Sequence, residues 1–260
     1  VLAGYQAAIM APTRLLAEQH QRSVERLLDP WGIEVDLLVS ETPGDVRRKI
    51  AGKLDQGEPA LVVGTHALLA ADVVMPGFAV GVIDEQHRFG VAERERLASK
   101  GPGHILMMSA TPIPRSLALT LYADLDLIAL DEKPPGRKPV DTRWIHPRDR
   151  ERVYAFVRRE VERGRQAYVV FPRVHPGDEQ VEGESAATQA EELANTWLAG
   201  LRVGLVHGQM RPADQEAVMA AFVAGEVDVL VATTVIEVGV DVPRASVMVV
   251  EGADRFGLAQ

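Results

Sequence analysis

Two adjacent carboxylates, Asp84 and Glu85, stand directly after the apolar run 78–83 and before Gln86 and His87. In open α/β sheets, ligands bind at the carboxyl ends of the strands. Two neighbouring acids repel each other unless a cation or a water network uses them. A magnesium–phosphate site is such a use, because one carboxylate can fix a hydrated metal while the next orients an attacking water. A solvated acidic turn is the alternative for Asp-Glu alone, but the four-residue pattern after a strand is more specific.

Two hydroxyls, Ser109 and Thr111, close a later apolar run, and Pro112 and Pro114 stiffen the turn that follows them. Hydroxyls beside a rigid turn are typical of a loop that relays the state of a bound nucleotide. A helix N-cap is an equally weighted alternative, because Thr followed by Pro at the first helical position is good capping chemistry.

Short β-rich runs alternate with amphipathic stretches, which is typical of a parallel α/β sheet. In the first half, an apolar stripe with helical spacing covers 15–28 and follows the first strand. A parallel sheet would bring the carboxyl ends of these strands to one edge. The strands predicted in this half are 7–11, 34–39, 60–64, 79–84 and 104–109.

Three prolines and a glycine within 131–139 interrupt this alternation, because they cannot continue a helix or a central strand. We therefore divide the chain into residues 1–132, a linker at 133–140 and residues 141–260, which agrees with about two domains for this length. The second part has a similar alternation. Its predicted strands are 142–145, 167–171, 203–206, 228–232 and 246–250, and its predicted helices are 150–163, 187–198 and 212–224.

Composition narrows the classes of function. The 260 residues carry 28 Lys+Arg against 37 Asp+Glu, a formal net charge of −9. No global basic charge therefore indicates nucleic acid, although a contact surface can be basic locally. The absence of cysteine excludes disulfides, thiolate metal sites and cysteine nucleophiles, and it agrees with a reducing cytosol. No apolar run approaches the roughly 20 residues of a membrane-spanning helix.

Ordered motifs carry a family resemblance. In the first half, four runs resemble motifs Ia, Ib, II and III of superfamily 2 helicases in order and spacing. In the second half, three runs are similar to the regions of motifs IV, V and VI. These runs are 11–20, 64–66, 84–87, 109–111, 206–210, 232–243 and 254–260.

Within that superfamily, the sequence resembles the RecG family of branched-DNA helicases, chiefly through the long run 109–144. One alternative is the transcription-repair coupling factor, a translocase on duplex DNA that differs from this chain at Gln86 and His87. Another is a non-catalytic DNA-binding remnant of such a motor, but the intact Asp84–Glu85 pair argues against it.

The resemblance implies two RecA-like parallel-sheet lobes of the P-loop NTPase type, which use ATP and Mg²⁺. It implies that Asp84 holds Mg²⁺ through water and that Glu85 orients the hydrolytic water. It also implies that His87, Ser109 and Thr111 couple hydrolysis to the relative movement of the lobes.

DNA is the partner that the resemblance implies. Gly239 and Asp241 would lie at the nucleotide face between the lobes. Short hydroxyl side chains at strand ends suit phosphate contacts, which position a nucleic acid without reading its sequence. For Thr13, a helix N-cap is an equally weighted alternative. The residues expected to contact the DNA backbone are Thr13, Thr65, His66, Thr233 and Thr234.

The sequence contains no Gly-x-x-x-x-Gly-Lys-Ser/Thr loop. The resemblance places that loop before Val1 and the arginines of motif VI after Gln260. We therefore expect an internal part of a longer helicase, with each lobe truncated at its outer end and no useful ATPase activity in isolation. The longer protein is expected to act on forks and Holliday junctions in recombination and repair. It would be a monomeric motor in the bacterial cytoplasm, associated with the nucleoid and not with a membrane.

Overall fold

The computed structural model describes residues 1–109, 126, 128–130, 132, 139–172, 188–233 and 240–256. The chain divides into two compact units, Val1–Pro112 and Ile113–Gln260. The predicted linker at 133–140 lies mainly outside the described residues. The predicted domain limits therefore stay a prediction.

A parallel sheet forms the centre of the first unit. Its strands are β1 (Gln6–Met10), β2 (Val35–Leu38), β3 (Ala60–Gly64), β4 (Phe78–Ile83) and β5 (His104–Met107). They lie in the order β2-β3-β1-β4-β5, and every pair is parallel. All five residues of β3 are buried, as expected for a strand that is covered on both faces. The apolar runs of the sequence thus predict these strands closely.

Three α-helices of this unit are described: α1 (Arg14–Leu28), α2 (Gly44–Asp55) and α3 (Val91–Ala98). The sequence predicts only α1 among them. The helix α2 buries Ile50 and Leu54, which lie one turn apart on the same face. That spacing was the available signal for the missed helix.

The second unit also contains a parallel sheet, with α4 (Arg150–Glu162), α5 (residues 188–195) and α6 (Pro212–Ala224) around it. Its strands are β6 (Gln166–Val170), β7 (Val203–Val206), β8 (Val229–Ala232) and β9 (Ala245–Val250), in the order β7-β8-β6-β9. The helix α6 begins with Pro212 and ends before Gly225 at φ 81°, where glycine is favoured. None of the described helices is long and apolar enough to cross a membrane.

The predicted strand at 142–145 is wrong. These residues are described, and they form neither a strand nor a helix. Thr142, Trp144 and Ile145 favour β structure by type, but a strand needs a neighbouring strand and a surface to pack on. Here the Trp144 side chain is 80% exposed, so local propensity had no tertiary support.

A buried glutamine opens the central strand of the first sheet. The Nε2 group of Gln6 donates to the Leu54 carbonyl at 2.7 Å and to the Glu58 carbonyl at 3.1 Å. Its Oε1 atom accepts from the Gly77 N–H at 3.1 Å. The side chain therefore joins the start of β1 to the end of α2 and to the loops that lead into β3 and β4.

Gln166 occupies the same position in the second sheet. Its Nε2 group donates at 2.6 Å to the carbonyl of Phe222 in α6 and at 2.6 Å to the carbonyl of Val227, just before β8. The register of the central strand also shifts directly after Gln6 and directly after Gln166. Since β2-β3-β1-β4 matches β7-β8-β6-β9 in order and direction, the two units repeat one plan.

Replacing Gln6 tests its contribution to the stability of the first unit. We expect Gln6→Leu to reduce the free energy of unfolding of the first unit by about 3 kcal/mol, because one buried and two partly buried backbone groups lose a partner. Gln56→Leu, at an exposed position after α2, should change it by less than about 0.5 kcal/mol. Urea denaturation of both variants measures the difference, and equal effects would contradict the role given to Gln6.

Candidate functional site

The acidic loop, residues 84–90, starts where β4 ends. The Asp84 N–H donates to the Met10 carbonyl at the end of β1, at 2.9 Å. Two residues on, the Gln86 N–H donates to the Met108 carbonyl at 3.0 Å. The sheet thus brings the acidic loop next to the segment that carries Ser109.

His20 contacts the first acid of this loop from α1. Its Nε2 atom lies 2.6 Å from Asp84 Oδ2, while the Glu85 N–H donates to Asp84 Oδ1 at 2.9 Å. The hydrogen bond with His20 is the main cause that holds the pKa of Asp84 below its usual range. The sequence alone does not single out His20, although it lies within the run 11–20 on a helix that starts at the same sheet edge.

Glu85 has a strained backbone and an incompletely satisfied side chain. Its φ of 48° is the only positive value among the described non-glycine residues, and such a conformation costs a side-chain-bearing residue free energy. The residue is only 7% exposed. His87 Nδ1 lies 3.3 Å from Glu85 Oε2, yet this oxygen and Gln86 Oε1 are buried and accept no hydrogen bond within the described residues.

These oxygens suit a hydrated divalent cation. Mg²⁺ prefers oxygen ligands, keeps several waters and is usually bound by one or two carboxylates together with phosphate oxygens. Asp84 supplies a carboxylate held in place by His20, and Glu85 supplies a buried oxygen that accepts no hydrogen bond within the described residues. Buried unsatisfied groups of this kind call for a ligand or a water. The acidic loop therefore fits such an ion, whereas no phosphate-binding P-loop occurs in the sequence.

Thr65 and His66 follow β3 at the same edge of the sheet. The Thr65 N–H donates to the Leu38 carbonyl at 3.2 Å. Gly64 allows this approach, because a Cβ at that position would collide with the Leu38 carbonyl oxygen. Thr65 is buried, while His66 is half exposed and its Nε2 atom lies 2.7 Å from Glu93 Oε1.

Thr233 is the counterpart of Thr65 in the second unit. Its N–H donates to the Val206 carbonyl at 3.2 Å, which repeats the bond between Thr65 and Leu38. The side chain is 1% exposed, and its Oγ1 atom has no hydrogen-bond partner in the described part of the chain. A direct contact with DNA would require the covering residues to move aside.

Of the remaining predicted site residues, two are described and three lie outside the described residues. Thr13 forms the N-cap of α1, since its Oγ1 atom accepts from the Leu16 N–H at 3.4 Å, so the capping alternative is observed. Asp241 is described and exposed. Thr111, Thr234 and Gly239 lie outside the described residues.

Glu251 is the counterpart of Asp84 in the second unit. Its N–H donates to the Val170 carbonyl at 2.9 Å, as that of Asp84 does to Met10. Its Oε1 atom accepts from Arg150 Nε at 2.8 Å and from the Tyr154 hydroxyl at 2.6 Å. Burial, and then the hydrogen bond to Glu251, raise the pKa of the Tyr154 phenol. This acid is therefore neutralised by side chains of its own unit.

Comparison with known families assigns a class to this pair of sheets. Residues 1–120 match the family described as DEAD/DEAH box helicase, and residues 150–259 match the helicase conserved C-terminal domain. The two parallel sheets are RecA-like helicase lobes, as the sequence predicts. The structure of MrfA helicase bound to DNA and AMPPNP has the same fold, with a TM-score of 0.62 and 20% identity over 95% of this chain and 38% of that one.

Within this class, the chain belongs to the RecG family. It is 47% identical to the ATP-dependent DNA helicase RecG of Thermotoga maritima over 260 residues, and 41% identical to that of Bacillus subtilis over 261 residues. These alignments cover 99% and 100% of this chain but 33% and 38% of the relatives. The chain thus spans about a third of the length of these relatives.

A solved structure agrees with this assignment. RecG bound to a three-way DNA junction is similar with a TM-score of 0.82 and 42% sequence identity. The similarity covers 98% of this chain and 33% of that one.

Two glutamate-to-glycine substitutions separate the relief of backbone strain at Glu85 from the ordinary destabilising effect of glycine inside a helix. Glu85→Gly should raise the free energy of unfolding by about 1 kcal/mol, because glycine adopts positive φ freely and the buried oxygen that accepts no hydrogen bond is removed. Glu95→Gly, at an exposed position inside α3, should lower it by about 1 kcal/mol. Thermal unfolding measures both changes, and destabilisation by Glu85→Gly would contradict the strain argument.

Proposed function

We propose that this chain is the motor core of an ATP-dependent DNA helicase that acts on branched DNA such as forks and Holliday junctions. The observation that carries the proposal is the similarity of 98% of the chain to RecG bound to a three-way DNA junction. Since the chain spans about a third of such relatives, the proposal concerns the protein in which this core works. It includes a role in recombination and repair, in a monomeric motor of the bacterial cytoplasm that associates with the nucleoid.

In this proposal, the acidic loop serves the hydrolysis of ATP. Mg²⁺ would neutralise charge that develops on the phosphates. Asp84 would hold the ion through water, and His20 would keep that carboxylate oriented. Glu85, whose Oε2 atom lacks a hydrogen-bond partner in the described chain, would orient the attacking water.

We assign the link between hydrolysis and movement to His87, Ser109 and Thr111, and the nucleotide face of the second lobe to Gly239 and Asp241. The backbone hydrogen bond from Gln86 to Met108 supports the first assignment. Through this bond, a shift of the acidic loop reaches the segment that carries Ser109.

DNA would contact the carboxyl edges of the two sheets. A motor has to run through any sequence, so it grips phosphates and not bases. The equivalent positions of Thr65 and Thr233 support one such contact in each unit. The complete set proposed is Thr13, Thr65, His66, Thr233 and Thr234.

The hydrolytic role is tested in a chimaera in which this chain replaces the matching segment of the Thermotoga maritima relative. We expect ATP hydrolysis that a three-way DNA junction stimulates, and a loss of about 10²- to 10⁴-fold in kcat with Glu85→Gln, as for removal of a general base. Glu95→Gln, on α3, is the matched control and should leave the rate unchanged. The proposal fails if Glu85→Gln retains full activity.

The isolated 260-residue chain gives a separate result. We expect no DNA-stimulated ATP hydrolysis from it, because no P-loop holds the phosphates. If DNA stimulates ATP hydrolysis by this chain and Glu85→Gln abolishes it, that expectation is contradicted. The conclusion drawn from the chimaera about Glu85 is not affected by this result.

Binding of a three-way DNA junction by the chain tests the phosphate contacts. Affinity should fall steeply as salt rises, because phosphate contacts release counterions. Thr233→Val should lower the affinity by about fivefold and raise stability, since a methyl group replaces an unpaired buried hydroxyl. Fluorescence anisotropy and urea denaturation measure the two effects. Thr196→Val, at the end of α5, is the control for both measurements. An affinity that does not change with salt contradicts the proposed contacts with DNA phosphates.

A further inference from the structure

Glu93 joins two functional segments of the first unit with its two carboxylate oxygens. Oε1 lies 2.7 Å from Nε2 of His66, which follows β3. Oε2 accepts from the Gly90 N–H at 2.8 Å, where the acidic loop ends and α3 begins. One side chain thus holds the end of the acidic loop and a half-exposed histidine beside it.

Phe89 adds a packing contact between the same two segments. Its side chain is buried, and its ring centroid lies 5.3 Å from that of His66. Its N–H donates to the Gln86 carbonyl at 3.1 Å, and the Arg88 N–H donates to the Glu85 carbonyl at 2.8 Å. The His66 ring is therefore connected through Phe89 to the short helical turn 86–88 that follows Glu85.

Arg96 in α3 and Lys100, two residues after the helix ends, hold the segment 67–73 that follows His66. Arg96 Nη2 donates to the Leu69 carbonyl at 2.8 Å. Lys100 Nζ donates to the carbonyls of Ala70 and Val73. These contacts attach the segment to α3 and to the residue Lys100 beyond it, and Glu93 lies where α3 meets the acidic loop.

We propose that Glu93 is a positioning residue that couples occupancy of the DNA contact at His66 to the conformation of the acidic loop. The proposal rests on the proposed function, because it takes His66 as a DNA contact and the loop as the hydrolytic site. Glu93 itself touches neither DNA nor nucleotide in this scheme. It relays strand engagement to Glu85 through Gly90 and the turn 86–88.

The test measures hydrogen exchange at the amides of Arg88 and Phe89 in the 260-residue chain, with and without a three-way DNA junction. In the unsubstituted chain, we expect DNA to slow exchange at both amides by about fivefold or more, the scale of a typical coupling between sites. Fluorescence anisotropy on the same samples reports whether the DNA is bound.

Three substitutions of Glu93 and one control separate coupling from folding. Glu93→Ala removes both contacts. Glu93→Asp keeps a negative charge in the first turn of α3 but shortens the side chain by one methylene, so it cannot hold Gly90 and His66 together at the present distances. Glu93→Gln supplies an oxygen for Gly90 and an amino group for His66. Glu95→Ala changes an exposed glutamate on the same helix.

We expect Glu93→Ala and Glu93→Asp to bind the junction within about threefold of the unsubstituted chain but to lose the slowed exchange, while Glu93→Gln and Glu95→Ala keep it. Slowed exchange in Glu93→Asp overturns the inference, and so does an unsubstituted chain that binds DNA without any change at Arg88 and Phe89. A chain that binds no junction DNA at all contradicts the proposed function instead.

Discussion

The backbone N–H of the residue after a parallel strand must find a partner beyond its own strand, and the last carbonyl of a neighbouring strand accepts it. In the first unit, this bond joins Asp84 to Met10 and Thr65 to Leu38, and the second unit repeats it at Thr233. These bonds fix where each strand stops and which side chains meet beyond it. Residues far apart in sequence therefore share one edge because of the sheet, and the candidate chemistry depends on that edge.

At the opposite edge of each sheet, where the strands begin, the side-chain amide of a glutamine holds the start of the central strand. Gln6 and Gln166 begin the central strands and donate to the carbonyls of a helix end and of the loop after it. The two units thus share both edges as well as strand order. A common frame makes positions comparable between them, so Thr65 corresponds to Thr233. Neither a motif nor a spacing in the sequence relates these two threonines, whereas the topology does.

The apolar runs and the limits of α6 were predictable from the sequence, because they depend on neighbouring residues, whereas α2 and α3 were missed. Strand β3 and helix α6 begin and end where the sequence places them. The strand predicted at 142–145 was wrong, since β propensity needs a partner strand. Asp84 and Glu85 were predictable as a site because they follow an apolar run. His20 and Glu93 were not, because their roles depend on which helix faces pack beside the edge.

The acidic side chains at the carboxyl edges of the two sheets differ in how many hydrogen bonds the folded chain itself supplies to them. Arg150 and Tyr154 surround Glu251 in the second unit, so its charge is balanced once that unit has folded. In the first unit, His20 serves Asp84, while Glu85 keeps an oxygen without a hydrogen bond from the described chain. A ligand that binds only the folded state raises stability in proportion to the logarithm of its concentration. The proposed cation would therefore link the melting temperature of the first unit to its own concentration, whereas Glu251 of the second unit is already paired by side chains of that unit.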